Sequence, residues 1–242
     1  MTPEEIVARL IYRDGLMLVI DKPAGLPVHK GPKGGESLED YFGALRFGLP
    51  RPPALAHRLD RDTSGCLVLG RHRKALAALG RLFKSGQVEK SYWAVVAGGP
   101  TQDEGRIELA LGRKDAARGW WMKHDPAGQR AVTTWKVVGR RPSYPASGEA
   151  RTIGISWLVL EPLTGRTHQL RVHCAAMGWP IIGDSVYGSG SRNAASRLHL
   201  HAREIVVPLY KNRAPIRVTA PVPAHMQDLL QACGWSADAL VD

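Results

Sequence analysis

Apolar positions recur along this chain with two different periods, and the switches between them mark out its elements. The run Leu16-Met17-Leu18-Val19-Ile20, closed by Asp21-Lys22-Pro23-Ala24-Gly25, predicts a buried strand ending in a turn. Cys66-Leu67-Val68-Leu69 predicts a second strand. Beyond it Leu76, Leu79, Leu82 and Phe83 fall on one stripe of a helix over 73–85, and Gly86 stands where a left-handed residue closes such a helix. Ser37, followed three residues later by Asp40, has the form of a capping box opening a short helix through Leu45. Further strands are predicted at 88–97, 106–112, 131–139, 152–161, 198–207 and 215–219, and helices at 167–177 and 223–232. Strands that follow one another without intervening helices need antiparallel connections. The expected fold is therefore α+β, a mixed, mostly antiparallel central sheet flanked by helices and loops, and not a doubly wound parallel sheet.

With 242 residues, 44% hydrophobic and 23% charged, the composition is that of an ordinary globular protein, which excludes a disordered, collagen-like or coiled-coil chain. No repeat or long linker divides it. The looser stretches at 30–36, 50–54 and 141–149 are short enough for surface loops, so one domain over 1–242 is expected. Charge changes the picture: 33 Lys+Arg against 22 Asp+Glu leave a net +11, with a sequence pI near 9.9. A polyanion is the first partner to consider, because a basic surface gains affinity by releasing counterions from phosphate. Arginine dominates the cations, and guanidinium suits bidentate phosphate contacts and base stacking. Cys66, Cys174 and Cys233 are odd in number and form no C-x-x-C pair, as in a reducing compartment. The acidic start Met1-Thr2-Pro3-Glu4-Glu5 has no secretory or transit character, and no apolar run approaches the ~18 residues of a membrane helix. A cytoplasmic protein without membrane contact is expected, with a monomer as the default state.

Two polar clusters carry candidate chemistry. His57-Arg58-Leu59-Asp60-Arg61-Asp62-Thr63-Ser64-Gly65 sets two carboxylates, two guanidiniums and an imidazole in a turn before a strand, where catalytic groups are often mounted. Spacing alone leaves a salt-bridged surface turn equally open. In Leu163 to His173, a glycine turn precedes a predicted helix that would carry Arg166 at its N-terminus, beside backbone N–H groups that favour an anion. Helical spacing would place Arg166, Leu170 and His173 on one face and His168 with Arg171 on another. The basic stretch Arg113-Lys114, Arg118-Gly119-Trp120-Trp121-Met122-Lys123-His124 suits phosphate contact with stacking, or equally a twisted hairpin with buried tryptophans. The deaminase pattern H-x-E with P-C-x-x-C, the P-loop and G-x-G-x-x-G are missing, and His199 with His201 have no further ligands in their pattern. No cofactor and no catalytic metal are expected.

Several segments together resemble the RluA-type family of RNA pseudouridine synthases. They are Val19 to His29 with Asp21-Lys22-Pro23-Ala24-Gly25, His57 to Gly65, Lys90-Ser91-Tyr92-Trp93-Ala94-Val95, Thr164 to His173, Pro180 to Asp184 with Tyr187-Gly188, and Leu200-His201-Ala202. They stand in the family's order over nearly the whole chain. The resemblance implies a catalytic cleft on the sheet and isomerisation of uridine in RNA: the N1–C1′ bond is cut, the base turns, and C5 is joined to C1′. It implies Asp60 as the catalytic carboxylate, acting as nucleophile or in proton abstraction at the sugar. Arg166 matches the arginine that pairs with this aspartate, favouring its charged form. Tyr92 matches the tyrosine under the base that helps to remove the C5 proton, although its spacing alone equally fits a strand-core aromatic. Arg58 matches an arginine that fills the gap left by the everted uridine. His57, Arg61 and Leu170 complete the expected RNA-contacting set, and Asp62 is assigned a structural or phosphate-side role. Larger relatives carry an N-terminal S4-like module, for which the match starting near Ile11 is expected to leave no room. Ribosomal or transfer RNA stem-loops are the expected substrates. A catalytically silent RNA-binding protein and a glycoside-type hydrolase using Asp60 with Asp62 are the competing readings.

Overall fold

The computed structural model describes all residues except 32–33, 115–120, 146–151, 189–196 and 238–242. The chain divides into two compact units, Met1–Lys90 with Ala202–Pro221, and Ser91–His201 with Val222–Asp242.

In the first unit, helix α1 (Pro3–Ala8) leads into strands β1 (Leu10–Arg13) and β2 (Met17–Lys22). A 3₁₀ helix (Leu38–Leu45), strand β3 (Ala54–Leu55), strand β4 (Ser64–Gly70) and helix α2 (Arg73–Lys84) follow. β2 lies antiparallel between β1 and β4, pairing Met17 with Gly70 and Lys22 with Gly65. Every residue of β4 is buried, which is why it reads as a continuous apolar run instead of an alternating one. The predicted stripe of α2 faces inward, with Leu79 fully buried and Leu76, Leu82 and Phe83 half-buried. Gly86 adopts φ +70°, as its closing position requires.

The second unit takes most of β5 (Glu89–Ala97), then β6 (Glu104–Arg113), β7 (Met122–His124), β8 (Gln129–Pro145), β9 (Thr152–Pro162) and α3 (Gln169–Ala176). Its strands lie in the order β5-β9-β8-β6-β7, all antiparallel. Strand alternation gives the sheet two apolar faces. Ala94, Val96, Leu158 and Leu160 join Leu170 and Cys174 of α3 in one cluster, with Trp135 set edge-on to Trp179 at 5.8 Å. Trp93, Val95, Ile155 and Trp157 form the other, with Met226 and Leu230 of the last helix. Strand β10 (Leu200–Val207) crosses into the first unit, where it pairs antiparallel with β11 (Ile216–Thr219), and α4 (Ala224–Ala232) returns to the second.

The predicted α+β class and the antiparallel pairing hold, and each strand predicted from 88 onward is found, although β8 runs on to Pro145, well beyond the expected end at 139. Two helices differ from expectation. The Ser37 capping box is present, but the segment it opens is 3₁₀. Helix α3 starts at Gln169 because His168 is left-handed, φ +52°, so the preceding residues do not share its helical faces. Among the described residues no helix is long and apolar enough to cross a membrane.

Candidate active site

In the first unit, the polar loop enters β4 through a turn closed by the Thr63 N–H donating to the Asp60 carbonyl at 3.2 Å. This turn is held from beneath. Lys22, at the end of β2 and 0% exposed, donates its ammonium to the carbonyls of Pro23 (2.8 Å), Arg61 (2.8 Å) and Thr63 (2.9 Å). Three N–H groups meet three acceptors, so the buried cation is fully satisfied. Burial pushes its pKa down to about 7, against the opposing pull of the Asp62, Asp60 and Asp21 carboxylates. The Gly25 N–H also donates to the Arg61 carbonyl, at 2.9 Å. The D-K-P-A-G segment is thus the platform on which the H-R-L-D loop rests.

On that platform Asp60 is half-buried, Arg58 and Arg61 are exposed, and Leu59 between them is buried. Arg61 reaches its neighbour Asp62, Nε to Oδ1 at 3.0 Å. His57 is committed to the fold: its Nε2 accepts the Val68 N–H at 3.0 Å and its ring stacks on Phe83 of α2 at 4.5 Å. Burial, helped by the Lys90 charge, pushes its pKa down to about 3. The ring is therefore neutral, with its lone pair on Nε2, and it ties the loop to β4 and α2.

The remaining predicted residues lie in the second unit. Tyr92 on β5, opposite Leu160 of β9, is half-buried against the cluster that contains Leu170. Its spacing is that of a strand-core aromatic, and it packs against the same cluster to which Leu170 belongs. Arg166 is exposed in the turn before α3, where its Nε donates to the Arg130 carbonyl at 3.2 Å. Helical spacing does not apply to it, since the helix has not yet begun. Gln169 organises this turn: its Oε1 accepts from the Arg166 N–H (3.1 Å) and the Thr164 hydroxyl (2.7 Å). Its Nε2 donates to the Val132 carbonyl (2.9 Å) and the Thr133 hydroxyl oxygen (3.0 Å). Four bonds use the full capacity of a buried amide and weld the Arg166 turn to β8.

Arg171 makes a buried bidentate pair with Asp184, 2.7 Å on both arms, and Asp184 Oδ1 also accepts from the Val186 and Tyr187 N–H groups. The pairing holds the Asp184 carboxyl below its ordinary range despite burial. Tyr187, placed in this way, takes the Met122 N–H on its hydroxyl (3.0 Å) and meets His168 Nδ1 at 2.7 Å. Of the basic aromatic stretch, Trp121 is half-buried with the Lys114 ammonium 5.5 Å from its ring, while Arg118 and Trp120 fall outside the described residues. Among the described residues no group of three or more His, Cys, Asp or Glu side chains converges as metal ligands do. The braces Lys22, Gln169, Arg171 and Asp184 were not among the expected site residues. Each lies inside a motif quoted for the resemblance, which was the signal available.

Comparison with known proteins gives the family to which the chain belongs. The RNA pseudouridylate synthase family profile matches residues 16–176. An uncharacterised RNA pseudouridine synthase of Zymomonas mobilis is 42% identical over 93% of this chain and 98% of its own. The tRNA pseudouridine synthase C of Vibrio cholerae is 30% identical over 96% of this chain and 98% of its own. The solved structure of human RNA pseudouridylate synthase domain containing 4 superposes with a TM-score of 0.75 at 26% identity, covering 96% of this chain and 95% of that one. The chain belongs to the RNA pseudouridylate synthase family and is an isomerase of that class.

Proposed function

We propose that this enzyme isomerises specific uridines in stem-loops of ribosomal or transfer RNA, with Asp60 as its catalytic carboxylate. The observation that carries the assignment is the Lys22 clamp, which fixes the backbone on the C-terminal side of Asp60. Preorganisation of this kind is what a nucleophile or general base at the sugar needs. Arg166 is the guanidinium partner of that carboxylate, Tyr92 stacks on the base and helps to take the C5 proton, and Leu170 lines the uracil pocket. Arg58 fills the gap in the stem, and the exposed Arg61 meets RNA at the rim. The similarity to the tRNA pseudouridine synthase C of Vibrio cholerae supports transfer RNA as the first substrate to try. The enzyme acts as a monomer in the cytoplasm.

Tritium release from transcripts labelled at uridine C5 tests the reading. An isomerase releases label and leaves the chain intact; a silent binder releases none, and a hydrolase liberates free uracil. Asp60→Asn should abolish release while Asp62→Asn lowers it only partly. Equal effects would count against the assignment of Asp60.

A further inference from the structure

Within the second unit, the β6–β7 hairpin and the turn before α3 bound a groove of about 460 Å³. Its lining includes Gly112, Arg113 and Met122 on the hairpin side, Gly128 in the following turn, and Gly165 with Arg166 opposite. The size is that of an ordinary ligand site, and both walls are fixed. The Tyr187 hydroxyl takes the Met122 N–H on one side and meets His168 on the other, while the Arg166 Nε is held by the Arg130 carbonyl. A Cβ added to Gly165 would meet nothing within 4 Å, so backbone is presented there to open space.

The cations around the groove are not equivalent. Arg130 is paired with Glu108 at 2.5 Å, Lys123 with Asp125 at 3.8 Å, and Lys114 rests on Trp121. Arg113 is exposed, and its guanidinium has no hydrogen-bond or ion-pair partner among the described residues. A preformed groove with one uncommitted guanidinium, in a chain of net charge +11, is complementary to a phosphodiester.

We propose that this groove seats the sugar and phosphate of a nucleotide adjoining the target uridine, with Arg113 bonding the phosphate. The assignment rests on the reading above in one respect: if Arg166, which lines the groove, serves the target nucleoside, an adjoining nucleotide is within reach of the groove. Contact is with backbone and not with a base edge, so Arg113 contributes affinity without choosing sequence.

The test uses the full chain and a fluorescein-labelled RNA hairpin with an all-uridine loop, titrated by anisotropy over a range of salt. Arg113→Ala should weaken binding about tenfold, as loss of a charge-assisted bond does, and flatten the salt slope by about 1. Lys114→Ala, one residue away but outside the groove, should change it less than twofold. An unchanged affinity and slope for Arg113→Ala, or equal losses for both variants, would overturn the proposal. Tritium release separates it from the isomerase reading. An active wild type whose Arg113→Ala variant keeps kcat and raises KM supports the groove. An active wild type in which neither KM nor affinity moves sinks the groove alone. An inert wild type whose RNA binding still depends on Arg113 sinks the proposed stem-loop activity and leaves the groove standing.

Discussion

Replacing Lys22 by methionine keeps the length of the side chain and removes its ammonium, and two opposing magnitudes decide the outcome. The carbonyls of Pro23, Arg61 and Thr63 lose their common donor. At about 1–3 kcal/mol for each acceptor left without a partner, this costs roughly 3–9 kcal/mol. Against it stands relief from burying a charge: a lysine shifted from its ordinary 10.5 to about 7 carries about 5 kcal/mol of unfavourable burial at 1.36 kcal/mol per pKa unit. The net expectation runs from a gain of about 2 to a loss of about 4 kcal/mol, centred on a loss of about 1 and less than the broken bonds alone would give. The functional loss should be larger than the stability loss suggests, because two of the three carbonyls belong to the turn carrying Asp60. Urea unfolding at pH 7 measures the first effect. Tritium release, assayed at a temperature where the variant remains folded, measures the second. A Lys22→Met chain active within twofold of wild type, or one destabilised by far more than about 4 kcal/mol, would refute the reasoning.

Two further outcomes follow from geometry. Gly65 has φ +105°, and a Cβ there would lie 2.3 Å from the Ala202 carbonyl oxygen, so Gly65→Ala should cost about 3 kcal/mol or more in thermal or urea unfolding; Gly165→Ala, in open space, should stay within about 0.5 kcal/mol. His57, His173 and His199 are held neutral by burial, with pKa values pushed down to about 3, 4 and 4. Their contribution is complete above 6.5 and is lost as pH falls toward 4, at up to about 1.4 kcal/mol per pH unit each. Asp21, pushed up to about 6, works in the opposite sense over the same window, since its contribution is lost as pH rises. The balance of three against one predicts a steep fall of the urea midpoint between pH 6.5 and 4, and a flat profile would refute it.

The elements with strong periodicity were legible in advance, and the failures have physical causes. The stripe Leu76, Leu79, Leu82, Phe83 located α2 because only a helix brings those residues to one side. Helix α1 was missed although Thr2, Pro3 and Glu5 spell out its capping box, since six residues give too little periodicity to notice. Helix α3 was placed two residues early because nothing in the letters Thr-His-Gln announces a left-handed histidine. The polar loops were found as candidates, but their supports were not. Lysine, glutamine and arginine normally belong to water, and the burial of Lys22, Gln169 and Arg171 depends on partners up to 41 residues away. Asp60, Arg58 and Arg61 were legible as a loop; that the loop is held by its backbone was not.

The β2–β4 ladder places Lys22 opposite Gly65, within reach of a turn that the chain reaches only some forty residues later. Side chains alternate between sheet faces, so a slip of one residue in this pairing would swing the ammonium to the far side and strand three carbonyls. Chains that mispair here would therefore be inactive as well as unstable, and activity should recover during refolding only after the β2–β4 pairing has locked. A nascent or misassembled copy would then carry no half-built catalyst able to modify the wrong RNA.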